Sequence, residues 1–138
     1  MVLQYNMLNQ KFEELSGLPA IKEASEIAKF LPKIANVWTD NANFLCEDLQ
    51  NEVAEFLHEV RQGQSNKQRI FEELGDVIFV LCRIANLFNV DVEWATKYSV
   101  DELKRRFLYL EEKYGADKIK TASQEEFFKF WKEAKGKK

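Results

Sequence analysis

Glu72-Glu73-Leu74-Gly75-Asp76-Val77-Ile78-Phe79-Val80-Leu81-Cys82-Arg83-Ile84-Ala85-Asn86-Leu87-Phe88 is the stretch that decides the fold. On a wheel of about 100° per residue, Val77 to Phe88 is apolar nearly all round, with Arg83 the only charge, the pattern of a central, buried helix. Working outward, that helix is expected over about 66–88. Upstream, Thr39 or Asp40 can cap a helix that reaches Arg61 before Gly63 stops it. Further upstream, Tyr5, Leu8, Phe12 and Leu15 share helical spacing over about 4–16, with Gly17 as the stop. Ile21, Ala24, Ala28 and Leu31 form a second stripe over about 20–31, after which Pro32 breaks the periodicity. Downstream, Asp91 or Val92 opens a helix carrying Trp94, Leu103, Phe107 and Leu110 to about Tyr114, with Gly115 after it. Ser123-Gln124-Glu125-Glu126 reads as a capping box before Phe127, Phe128, Phe130 and Trp131. The expectation is an all-α bundle of five to six helices in a single domain, 1–138.

Composition agrees and removes alternatives. The chain has 138 residues, one domain's worth, and its 46% hydrophobic and 31% charged residues place it among globular proteins. With 5 Gly and 2 Pro, a sheet of many tight turns is disfavoured. The net charge of −3 argues against a nucleic-acid partner, which calls for a basic field. No apolar run approaches the ~20 residues of a membrane span, so no membrane partner is expected. Met1 to Gln10 show no secretory signal, which points to the cytoplasm. Cys46 and Cys82 read as free buried thiols, and with one His they cannot make a usual zinc site. Phosphate-loop and nucleophile-elbow motifs are absent.

The acidic residues carry the chemistry. On the helix before Gly63, Leu45, Leu49, Val53, Phe56 and Val60 fall within one arc of about 80°, and Asp48, Glu52, Glu55 and Glu59 line its edge within a neighbouring arc of about 60°. Glu52 with Glu55, and Glu73 with Asp76, form two i,i+3 pairs. Residues 56–72 between them suffice to turn and bring the second pair antiparallel against the first. Four carboxylates in one seam repel, and with ordinary pKa values near about 4 they stay ionised. A hard divalent cation resolves this: Mg²⁺, with Mn²⁺ as an alternative, takes oxygen ligands and leaves positions for water and phosphate. Solvated surface acids are the plainer reading of the same spacing. Glu55-x-x-His58 is half a di-iron signature, but a single His cannot complete it, and His58 is expected to face solvent. Arg83, seven residues after Asp76, is expected to pair with it. Gly75, costly inside a helix by about 1 kcal/mol, suggests close packing or close ligand approach.

Glu52-Val53-Ala54-Glu55 followed by Glu73-Leu74-Gly75-Asp76-Val77-Ile78-Phe79 resembles the E-x-x-E … E-x-x-D signature of the MazG-type nucleoside triphosphate pyrophosphohydrolases. Val37-Trp38-Thr39-Asp40 is similar to that family's Trp-containing segment. Lys104-Arg105-Arg106-Phe107 with Leu110-Glu111-Glu112 resembles its basic segment, and Trp131-Lys132-Glu133-Ala134-Lys135 its common ending. The similarity spans about 37–135 and leaves 1–36 unplaced. It implies an all-α, Mg²⁺-dependent hydrolase that converts nucleoside triphosphates to monophosphate and pyrophosphate, working as a homodimer or dimer of dimers. By motif position, Glu52, Glu55, Glu73 and Asp76 would hold the metal and serve catalysis. Arg105 and Arg106, with Lys104 and Trp38, would contact substrate.

Three positions depart from the family pattern. Val100 and Glu102 stand where relatives commonly have Asn and Lys, and Asn51 where an acid is frequent. The metal ligands are untouched, but the phosphate clamp and the base lack their usual residues. Lys97, Lys104 or a partner subunit's lysine is the available substitute. The alternative reading is a catalytically weak or silent helical module that oligomerises or binds nucleotide. The aromatic stripe from Phe127 to Trp131 is read as core or dimer contact rather than as a base-stacking platform.

Overall fold

Helix periodicity and end signals govern the element order in the computed structural model, which describes residues 2–35, 41–63 and 66–137. All regular structure among the described residues is helical: α1 Val2–Leu15, α2 Ala20–Ile34, α3 Ala42–Gln62, α4 Lys67–Leu87, α5 Val92–Tyr114, α6 Ala116–Thr121 and α7 Gln124–Lys135. The all-α expectation holds, but the count is seven rather than five to six. The addition is α6, six residues between Gly115 (φ +84°) and Ala122, too short to leave a periodic signature.

Two further boundaries differ from expectation. Pro32 does not end α2, which runs on to Ile34. A proline removes one backbone donor, and so near the end of a helix costs one i→i−4 bond; the Ala35 N–H still closes the last turn on the Leu31 carbonyl at 3.1 Å. At the start of α3, Asn41 takes the capping role assigned to Thr39 or Asp40, which lie outside the described residues. Its side-chain oxygen accepts from the Asn43 N–H (2.9 Å) and the Phe44 N–H (3.3 Å). Gly63, at φ +87°, terminates α3 as read.

The chain forms two compact units, Met1–Glu93 and Trp94–Lys138. In the first, α4 packs against both α3 and α2, and α1 against α2. Leu15, Ala28, Leu45, Val80 and Cys82 are its buried core. The central place read for α4 is thus occupied, although Leu81 and Phe88 remain exposed. Two neighbouring helices cover two sides of a third, not its whole circumference. Cys82 is free and buried, its thiol pushed up by burial and drawn partly back by the Ser25 hydroxyl of α2. Cys46 is free but exposed, contrary to the burial expected for both.

In the second unit, Leu110 and Ala134 are fully buried. Trp131 packs on Phe107 with ring centres 5.0 Å apart, and Phe130 stacks on Tyr114 at 3.9 Å. The aromatic residues of α7 are therefore largely packing residues, as read, with Phe128 exposed. Glu133 accepts from the hydroxyls of Tyr109 and Tyr114, each at 2.7 Å, and pairs with Lys113. Ser123 caps α7 by accepting from the Glu126 N–H at 3.2 Å.

Gly75 is exposed, and a Cβ built on it would meet nothing within 4 Å. Close helix packing is therefore not its reason. Gly75→Ala is expected to stabilise the protein by up to about 1 kcal/mol through helix propensity and a less flexible unfolded chain. Urea denaturation of the two proteins measures this, and a destabilised variant would show a constraint at that position.

Candidate metal centre

Contact partners on α3 and α4 descend along one helix as they ascend the other. Asp48 meets Arg83 at 3.1 Å, Glu55 meets Glu73, and Glu59 accepts from Asn66 at 3.1 Å. The two helices thus run antiparallel, as the turn between the acidic pairs required. The acidic edge of α3 faces this seam, which explains why its carboxylates follow the apolar stripe rather than scatter. Arg83 is buried and pairs with Asp48 across the seam, not with Asp76 as its spacing had suggested. A side chain seven residues along one helix is about 10 Å away along the axis, while the facing helix is nearer.

The seam brings three of the four predicted ligands together. One carboxylate oxygen from each of Glu52, Glu55 and Glu73 lies within 4.8 Å of the others. Asp76 is exposed and outside that group, though its charge reaches both Glu52 and Glu73. Glu73 is 6% exposed. Burial, then the charge of Glu55, raises its pKa against the opposing pull of Arg69. Glu52 is raised in the same way, by burial first and then by Glu55, Asp76, Asp48 and Glu73. One oxygen on each, Oε2 of Glu52 and Oε2 of Glu73, is buried without a hydrogen-bond partner. Like-charged groups held together with unsatisfied buried oxygens are costly unless something positive joins them. A hard divalent cation fits this donor set, whose ligands are all carboxylate oxygens.

Beside the triad opens a pocket of about 470 Å³ lined by Ala54, Glu55, His58, Glu59, Arg69 and Glu73. His58 is exposed, as expected. Arg69 was not singled out from the sequence, where a charged residue in the first turn of a helix reads as solvated. Its guanidinium contacts Glu72 (2.8 Å), Glu73 (3.1 Å) and Glu59 (3.9 Å). The signal available was its i,i+3 and i,i+4 spacing to Glu72 and Glu73.

The predicted substrate residues lie on α5 in the second unit. Arg105 donates from Nε (3.2 Å) and Nη2 (3.0 Å) to Glu102, and Arg106 lies 3.8 Å from the same carboxylate and over the Trp131 ring. These guanidiniums hold the Glu102 carboxyl below the usual carboxylate range, with the Arg105 hydrogen bonds the largest cause. Glu102 thus occupies both arginines. Lys97 is paired with Asp101 at 2.9 Å. Lys104 is exposed and lines an apolar pocket with Phe107, Leu108 and Ile119. Trp38 lies outside the described residues.

Residues 41–107 match the family model of the MazG nucleotide pyrophosphohydrolase domain, a span that includes all of α3 and α4, both acidic pairs and Arg105-Arg106-Phe107. The chain is similar to the nucleoside triphosphate pyrophosphohydrolase of Escherichia coli, 26% identical over 95 residues, covering 69% of this chain and 36% of that protein. It is similar to the nucleoside triphosphate pyrophosphohydrolase/pyrophosphatase MazG of Thermotoga maritima, 25% identical over 121 residues, covering 86% of this chain and 45% of that protein. The uncharacterised Bacillus subtilis protein YabN is 35% identical over 65 residues, covering 46% of this chain and 13% of its own. The chain spans less than half the length of each of these relatives.

Proposed function

From the MazG-type sequence of residues 41–107, we propose that the protein hydrolyses nucleoside triphosphates or their deoxy forms to monophosphate and pyrophosphate, with Mg²⁺ as cofactor. The activity would clear unwanted nucleotides or control their pool. The observation that carries the reading is the triad of carboxylate oxygens within 4.8 Å, two of whose glutamates keep a buried, unpartnered oxygen. Glu52, Glu55 and Glu73 would hold the metal, with Asp76 completing the set at its edge. Bound there, the metal supplies charge neutralisation at the phosphates and a lowered pKa for the attacking water. Glu55, the exposed member, would be the carboxylate free to orient that water, and Glu52 and Glu73, whose pKa values are raised by burial and by like charges, would be the ones a cation relieves. Arg105, Arg106 and Lys104 are the candidate phosphate contacts, a role suited to the guanidinium fork. Phe71 and Leu74, three apart on α4 and exposed, support a homodimer or dimer of dimers whose second copy would cover them. A cytoplasmic location belongs to the same reading.

The occupation of Arg105 and Arg106 by Glu102 favours a second reading, a nucleotide-binding module with little or no turnover. Incubation with a panel of NTPs and dNTPs in millimolar Mg²⁺ separates the two. The enzyme reading expects equimolar monophosphate and pyrophosphate, without inorganic phosphate, from at least one substrate. Mg²⁺ binding with no turnover of any panel member would favour the module.

A further inference from the structure

Arg69 is the cation nearest the triad among the described residues, and two of the three carboxylates it holds have a second donor. Its guanidinium reaches Glu59, Glu72 and Glu73 while its side chain stays more than half exposed. Glu59 also accepts from Asn66 at 3.1 Å, and Glu72 from Gln68 at 3.3 Å. Glu73 alone among the three has no other cation or donor but a shared hydrogen bond with Glu55, and it is one of the three residues that could take a metal. A divalent cation on Glu73 and the Arg69 guanidinium would compete for the same carboxylate. With the cation bound, Arg69 can leave all three glutamates without stranding any of them.

Charge in the pocket points the same way. Its lining has three carboxylates, Glu55, Glu59 and Glu73, against the single charge of Arg69. An oxyanion entering that field is repelled, and a bound divalent cation brings the wall close to neutrality. A guanidinium released beside the metal is then the donor that matches a phosphate edge, two parallel N–H groups to two oxygens. Resting on the pyrophosphohydrolase reading, we propose that Arg69 is an oxyanion ligand of this site. It closes on Glu73 when the carboxylates lack a cation, and binds a pyrophosphate-type oxyanion once they hold one.

The test is calorimetric titration of the full chain, first with MgCl₂ alone and then with inorganic pyrophosphate in excess MgCl₂, for wild type, Arg69→Gln and Arg69→Lys. Arg69→Gln should bind Mg²⁺ at least as tightly as wild type, since a competitor for Glu73 has gone. Its pyrophosphate affinity should fall by about tenfold or more, the scale of one lost charge-assisted pair. Arg69→Lys, which keeps the charge and the exposed position, should recover part of that loss and serves as the folded control. Unchanged pyrophosphate affinity in Arg69→Gln would overturn the proposal, as would no pyrophosphate binding by wild type. A parallel loss of Mg²⁺ affinity would also overturn it, by reducing Arg69 to a support for Glu73. The hydrolysis reading fails by a different result, absent turnover of every nucleotide by wild type, so the two failures are distinguishable.

Discussion

Glu73→Gln is expected to lower Mg²⁺-dependent pyrophosphate release by about a hundredfold or more while raising the melting temperature of the metal-free protein. The two effects have one cause. Glu73 is buried among like charges, with an unpartnered oxygen and a pKa raised by burial and by Glu55. Glutamine keeps the shape, and its carbonyl can still accept from Arg69, but it removes a charge that the fold holds at a cost. It also removes a candidate metal ligand, and changes even to groups that only support a ligand commonly cost about 10–100-fold. Glu52→Gln should act in the same direction, since Glu52 shares the triad and its raised pKa. Pyrophosphate release and thermal melting in EDTA check both. If turnover were unchanged, the triad would not be the site; if activity and stability fell together, structural damage would explain the loss.

Stability should also respond to pH in opposite ways with and without metal. Glu52 and Glu73 have folded-state pKa values above their ordinary ones, so the folded protein takes up protons more readily than the unfolded chain. Their contribution is fully present below the unfolded value, near about 4.3, and is lost as pH rises through the folded values. Metal-free protein should therefore melt at higher temperature as pH falls from about 7 toward 5. Glu102 has the reverse sign: its pKa is lowered, so its contribution is present above the unfolded value and is lost as pH falls through its folded one. That loss is confined to pH below about 4.3. With Mg²⁺ at about 100 times its Kd, linkage adds about 2.7 kcal/mol at neutral pH, on the order of 10 °C for a chain of this size. Protons then compete with the metal for the same oxygens, so the Mg²⁺ curve should fall on acidification while the EDTA curve rises. Melting scans from pH 4.5 to 8 in EDTA and in MgCl₂ measure this, and parallel curves would count against a metal at the triad.

What the sequence disclosed and what it concealed divide along physical lines. The helix ends at Gly63 and Gly115 were legible because a positive φ nearly names its residue, and α4 was legible because an apolar run flanked by acids has few other uses. α6 was not, since six residues with Ile119 as their one large apolar side chain carry no period. Pro32 misled because the rule for helix interiors was applied near a helix end, where one bond is at stake. At the site, i,i+3 spacing put Glu52 with Glu55, and Glu73 with Asp76, on shared faces, and the structure brings the first pair together with Glu73. Which of the four converge depends on the register between α3 and α4, and that register admits Glu73 and leaves Asp76 outside. The same limit misassigned Arg83, whose partner Asp48 belongs to the facing helix, where no single-helix wheel contains it; Arg69 was legible from its spacing to Glu72 and Glu73, and only its reach to Glu59 was hidden. Glu102 was noticed as a departure, yet its grip on Arg105 and Arg106 required side-chain geometry to see.

Glu133 has a practical corollary for anyone handling the protein. Two tyrosine hydroxyls and a lysine from α5 converge on that one carboxylate, and Ala134 beside it is fully enclosed. Residues 135–137, immediately after, are exposed. A fluorophore or tether attached at Lys135 or Lys137 leaves the fastening untouched, whereas trimming back through Glu133 cuts it. The usable attachment region is therefore sharply bounded, and it begins only two residues beyond the fastening itself.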